Sequence, residues 1–142
     1  MKILVAIDGS ACSLAAVAAL LDRTPWFRDP PRITLLHVHL PIPYKAAAAW
    51  AGKDAIVRYY DEEGNAALAG ARDLFDARAV ACLVEKRVGE PAEEIVGLAA
   101  TGGFDLIVMG THGHKALANL VMGSVATKVL ATSKVPVLFM KH

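Results

Sequence analysis

The sequence predicts an α/β fold: a single open, doubly wound five-stranded parallel sheet with helices on both faces. Three observations lead there. A chain of 142 residues suits one compact domain, spanning 1–142, with one core. Four runs rich in Val, Ile and Leu lack a polar alternation, as parallel strands covered on both faces require. Helical patterns separate the apolar runs in the order β-α-β-α-β-α-β-α-β, which argues for right-handed crossovers and a parallel sheet.

The first strand is "KILVAI" at 2–7. Ser10 or Ser13 can cap the helix "SLAAVAALLDR", which Thr24-Pro25 stops. The second strand is "RITLLHVHL" (32–40), with His37 and His39 on one face and Val38 on the other. Pro41 and Pro43 discourage an immediate helix, so 41–54 reads as a longer connection. From about Asp54 to Arg78, Ile56, Tyr59, Tyr60, Ala67, Leu68, Ala71, Leu74 and Phe75 fall near one helical face. "VACLVEKRV" (80–88) alternates more and ends in charge, which suits an edge strand. "EPAEEIVGLAATGG" puts Pro91 near the first turn, Glu93 and Glu94 beside the positive helix end, and glycines at the exit. "DLIVMG" (105–110), a helix "SVATKVLATS" from Ser124, and "VPVLFM" (135–140) complete the order.

Composition excludes several partners. Fifteen basic residues face fourteen acidic ones, which gives no electrostatic case for nucleic acid or an anionic membrane. The most continuous apolar segment, "LAAVAALL" at 14–21, falls far short of the roughly 20 residues that span a bilayer. Asp8 ends the N-terminal apolar run too early for a secretory signal. A soluble cytoplasmic protein is expected. Cys12 and Cys82 form no CxxC pattern and are expected to be reduced and buried.

One stretch asks for more than packing: "MGTHGHKALANLVMGS", Met109 to Ser124, directly after the fourth strand. Ligands of open parallel sheets sit beyond the carboxyl ends of the strands, where strand order reverses. Gly110 can take positive φ there and lets a backbone approach a ligand, and Gly113 allows a second bend. Gly123-Ser124 then opens a helix whose first N–H groups favour anions, phosphate above all. Ser124 can bind a phosphate oxygen or cap its own helix. Singly, each glycine reads as a turn or cap residue. As a set they read as an anion cradle. With no "GK[ST]" this is not a P-loop, and no GxGxxG follows the first strand.

Taken together, "VAIDGS", "LLHVHL", "GEPAEEIV", "DLIVMGTHGHKALANLVMGSVATKVL" and the terminal "VPVL" resemble the universal stress protein family over nearly the whole chain, with 41–60 the least similar. The resemblance implies a Rossmann-like fold of the adenine nucleotide α-hydrolase kind, with strand order 3-2-1-4-5. In that family G-x2-G-x9-G-[S/T] marks the members that bind ATP, and this chain keeps every position of it. The resemblance implies that Gly110, Gly113, Gly123 and Ser124 contact phosphate and ribose, flanked by Met109 and Val125. It implies that Asp8 lies near ribose and adenine, that Ala6 lines the adenine pocket, and that the Val38 backbone reads the adenine edge. Alone, Asp8 reads more readily as a residue leading into a helix; paired with the glycine segment, the site reading overtakes it.

Other residues carry less. His112-x-His114 has no adjoining Cys or carboxylate cluster, so a solvated loop or a phosphate-side hydrogen bond is preferred to a metal site. Lys115 reads as a phosphate partner or a surface lysine. His37 and His39 are expected to pack beneath a helix or border the pocket. No nucleophile, base and orienter can be assembled, and Asp8 alone could hold Mg²⁺ only through water, so no catalytic residue is assigned. The expected function is an ATP-binding, nucleotide-dependent regulatory or stress-response module that holds ATP, with or without Mg²⁺. The alternative is a slow ATPase or nucleotide-processing enzyme of the same fold. The terminal strand 135–140 is apolar and needs a covered edge; by the resemblance, two chains pair these edges as a homodimer.

Overall fold

β1, Lys2–Ala6, carries Ile3, Leu4 and Val5 with no exposed surface at all, which only a central strand covered on both faces achieves. The computed structural model describes residues 1–43, 52–113 and 122–140. Around β1 stand β2 (Arg32–His39), β3 (Cys82–Val88), β4 (Leu106–Gly110) and β5 (Val137–Met140), all parallel, in the order β3-β2-β1-β4-β5. The helices are α1 (Ala11–Leu21), α2 (Gly52–Asp76), α3 (Pro91–Thr101) and α4 (Ser124–Thr132). Strand order reverses at β1, whose Ala6 pairs with Leu36 of β2 and whose Val5 pairs with Val108 of β4.

The expected single core is divided in two by the sheet. Ile3, Val5 and Ile7 pack under α1 and α2 with Val17, Leu20, Leu68 and Phe75. Leu4, Leu36, Ile107 and Met109 face the other way, against Ile95 and Ala99 of α3 and Ala126 and Val129 of α4. This is the period-2 alternation of a doubly covered sheet.

The strands begin or end one or two residues inside the predicted runs. Ser10 caps α1, its Oγ accepting from the Ser13 N–H at 3.2 Å. That helix stops at Leu21, short of Thr24-Pro25, which starts a 3-10 turn instead. Tyr59 departs from the predicted buried face and is 41% exposed. It flanks His39 edge-on, with ring centroids 5.5 Å apart, and Tyr60 lies on the same ring at 5.1 Å. His37 and His39 therefore sit beneath α2. Cys12 is buried and Cys82 only partly so; both are free thiols. β3 and β5 are the two sheet edges. Among the described residues no helix is long and apolar enough to cross a membrane. The predicted connection 41–54 lies largely outside the described residues.

Two substitutions test this packing by urea denaturation. Phe75→Ala empties a fully buried site beneath the sheet and should lower stability by about 3–5 kcal/mol. Gly110→Ala places a Cβ 2.9 Å from Cys12 Sγ and 3.0 Å from Cys12 O, where α1 crosses β4, and should destabilise by about 1–3 kcal/mol. Unchanged midpoints would contradict the assigned cores.

Candidate functional site

The site begins where β1 is made to stop. Asp8 Oδ1 accepts from the Ser10 N–H at 3.0 Å and from the Ser10 hydroxyl at 2.6 Å, folding the chain back on itself. Gly9 supplies the positive φ of 79° that this turn needs. Ser10 then caps α1. The reading of Asp8 as a residue leading into a helix is thus realised by one carboxylate oxygen. The other, Oδ2, lies beside Gly113, so close that a Cβ there would collide with it.

Beyond the end of β1, β2 and β4 run on and leave a cavity of about 390 Å³ between them. That is within the usual size range of small-molecule sites. The structure brings all nine predicted site residues to it. Ala6, Val38, Met109 and Val125 give it apolar walls; Asp8, Gly110, Gly113, Gly123 and Ser124 give it a polar end.

Sequence reasoning missed part of the apolar wall. Leu36 and Leu40 share the Val38 face at steps of two, and Pro91 and Ile95 share a face of α3 at a step of four. Those periods were the available signal. His112 also lines the cavity, with Nδ1 2.9 Å from Thr111 Oγ1. His114 and Lys115, and with them the paired-histidine reading, lie outside the described residues.

The main chain of Val38 is set by strand parity. Ile7 N–H donates to Leu36 O at 2.8 Å, and on the opposite side Gly89 N–H donates to His39 O at 2.9 Å. Alternate residues of a strand address opposite neighbours, so Val38 addresses the β1 side just where β1 has ended. By that parity its N–H and C=O both point to the side where β1 has ended, and Val38 lines the cavity.

At the polar end, Gly123 N–H donates to Thr111 O at 2.8 Å and pins the start of α4 beside the exit of β4. Gly123 occupies the N-cap position, and no side chain caps α4, whereas Ser10 caps α1 and Glu90 caps α3. Ser124 therefore does not cap its own helix; it is the first helical residue and is exposed. The first amides of α4 border the cavity, with the positive end of the helix dipole behind them.

The expected positive φ at Gly110 is corrected: among the described residues only Gly9, Gly52 and Gly103 are glycines with positive φ. Gly110 is required by the close approach of the Cys12 main chain; a Cβ at Gly113 would make the Asp8 carboxylate swing aside. Space, not backbone handedness, selects glycine at 110.

A clamp holds the two helices that wall the cavity. Lys128 Nζ of α4 meets Glu90 Oε2 at 3.2 Å and Glu93 Oε1 at 3.0 Å, both at the start of α3. Partial burial works to raise the Glu90 carboxyl, but the Glu93 N–H and the Lys128 ammonium outweigh it and hold the group below the ordinary carboxylate value. Glu93 and Glu90 in turn hold the Lys128 ammonium above its usual value. Among the described residues no group of three or more His, Cys, Asp or Glu could hold a metal ion.

The family model described as "Universal stress protein family" matches residues 1–141. The chain is 32% identical to universal stress protein MJ0531 of Methanocaldococcus jannaschii over 99% of its own length and 81% of that protein's. Among solved structures it is similar to MJ0577 of the same organism, at a TM-score of 0.79 and 27% identity, covering 99% of this chain and 95% of that one. It is also similar to a universal stress protein in complex with cAMP, at a TM-score of 0.73 and 25% identity, over 99% and 97% of the two chains. The strand order, the cavity at the end of β1 and these likenesses agree: this chain belongs to the universal stress protein family.

Proposed function

We propose that this chain binds an adenine nucleotide, ATP with or without Mg²⁺, and serves as a nucleotide-dependent regulatory module of the stress response. One observation carries the reading. A single cavity has an open main-chain donor and acceptor at its apolar side and the uncapped start of α4, beside glycines, at its polar end. The first suits a base edge; the second suits an anion. The cAMP-bound relative supports the same ligand class.

On this reading the base lies against Ala6 and Val38, Asp8 stands near the ribose, and Gly110, Gly113, Gly123 and Ser124, with Met109 and Val125 beside them, take ribose and phosphates. Magnesium would arrive with the nucleotide near Asp8. Asp8 is the lone carboxylate among the described lining residues and commits one oxygen to Ser10, which favours holding ATP over turning it over. The proposal includes one domain over 1–142, a cytoplasmic setting, and a homodimer built on the edge strand at 135–140.

Calorimetry with ATP and magnesium tests the reading. Binding at or below millimolar concentration is expected, and no heat at that level would overturn it. Gly113→Val forces Asp8 aside, whereas the site at Gly123 has room for a Cβ, its nearest neighbours lying at 3.5 Å. Gly113→Val and Gly123→Val should each weaken ATP by at least about tenfold, roughly 1.4 kcal/mol, with the circular dichroism of the folded chain retained.

A further inference from the structure

We infer that His37 is a positioning residue whose ring keeps the Val38 main chain open to the base, an inference that rests on the nucleotide reading above. In a continuing parallel ladder, the bond from Ile7 N–H to Leu36 O is followed by one from Val38 N–H to Ile7 O. The first forms, at 2.8 Å; the second, among the described residues, does not. The Ile7 carbonyl is taken by His37 instead, whose Nδ1 lies 2.9 Å from it. A carbonyl only accepts, so Nδ1 carries the proton and donates.

The ring is placed by its surroundings. His37 faces α2, where a Cβ on the buried Gly64 would reach ordinary van der Waals contact with His37 Cδ2, at 3.8 Å. Because the ring satisfies the Ile7 carbonyl, β1 ends without claiming Val38. The freed N–H and C=O match an edge that offers an acceptor nitrogen beside an amino donor, as adenine does. Hypoxanthine offers a donor nitrogen beside a carbonyl, the reverse order. Removing the ring leaves Val38 N–H as the donor best placed for Ile7 O. The ladder would gain a rung and the base would lose a partner.

The test uses AMP, IMP and the base-free probe ribose 5-phosphate, titrated into wild type, His37→Leu and His37→Asn. The wild type should prefer AMP to IMP. His37→Leu should bind AMP about three- to tenfold more weakly, one hydrogen bond's worth, with ribose 5-phosphate unchanged. His37→Asn, whose amide can donate in place of Nδ1, should restore most of the loss. In the wild type alone, the Val38 amide should exchange with solvent quickly without nucleotide and slowly with AMP. A preference for AMP that survives intact in His37→Leu overturns the inference alone. So does a Val38 amide as protected in the free chain as its ladder neighbours. A wild type that binds none of the probes overturns the nucleotide reading and this inference with it.

Discussion

The crevice exists because β1 is stopped at Ala6 while its neighbours continue. Its last rung pairs Ala6 with Leu36, and β2 runs on through three more residues to His39. The stop is chemical. Asp8 draws the Ser10 amide and hydroxyl to itself, Gly9 takes the left-handed backbone, and Ser10 satisfies an amide of α1. Extending the strand through Asp8 would forfeit these bonds, and a helix cap alone contributes about 1 kcal/mol. The same turn sets α1 down across β4, which is why Gly110 has no room for a side chain. The tripeptide turns the chain away and fixes the identity of a residue a hundred positions away, while the His37 ring takes the carbonyl at which the ladder stops.

The cavity divides by physical character. Its apolar side comes from strand and helix faces that would be core if the sheet continued: Leu36, Val38 and Leu40 from β2 and its exit, Pro91 and Ile95 from α3. Its polar end is built from main chain. Among the described lining residues none is Lys or Arg, and the first amides of α4, with the helix dipole behind them, stand at this end. Asp8 stands at the same end, with one oxygen on Ser10 and the other beside Gly113.

Much of this was legible in the sequence, and the reasons differ from residue to residue. The strands declared themselves because a parallel strand buried on both faces has no polar alternation to hide it, and "VACLVEKRV" declared its edge position by having one. All nine site positions reach the cavity because strand ends and helix starts converge at a topological switch. The role of Gly110 was misread because one symbol encodes two freedoms, positive φ and absent Cβ, and only the packing of Cys12 tells them apart. Tyr59 followed the helical period but sits on the α2 turns beyond the core, where His39 and solvent share it. The contact between His37 and Ile7 joins residues thirty apart through a side chain and a carbonyl, and no periodicity predicts such a pair.

A site made of chain path also explains how identity can fall while architecture holds. Where side chains do the recognising, each substitution at the wall removes a contact. Here the polar groups facing the crevice belong largely to the backbone, so an apolar wall residue can change if its size suits the cavity. What cannot change freely is whatever bends or spaces the chain: the Asp8 turn, the glycines crowded by Cys12 and Asp8, and the donor that ends the ladder at Ile7. Relatives at 25–32% identity over nearly the whole chain are what that distribution of constraint allows. The residues that matter most are therefore those that shape the main chain, and most of them need never touch a ligand with their own side chains.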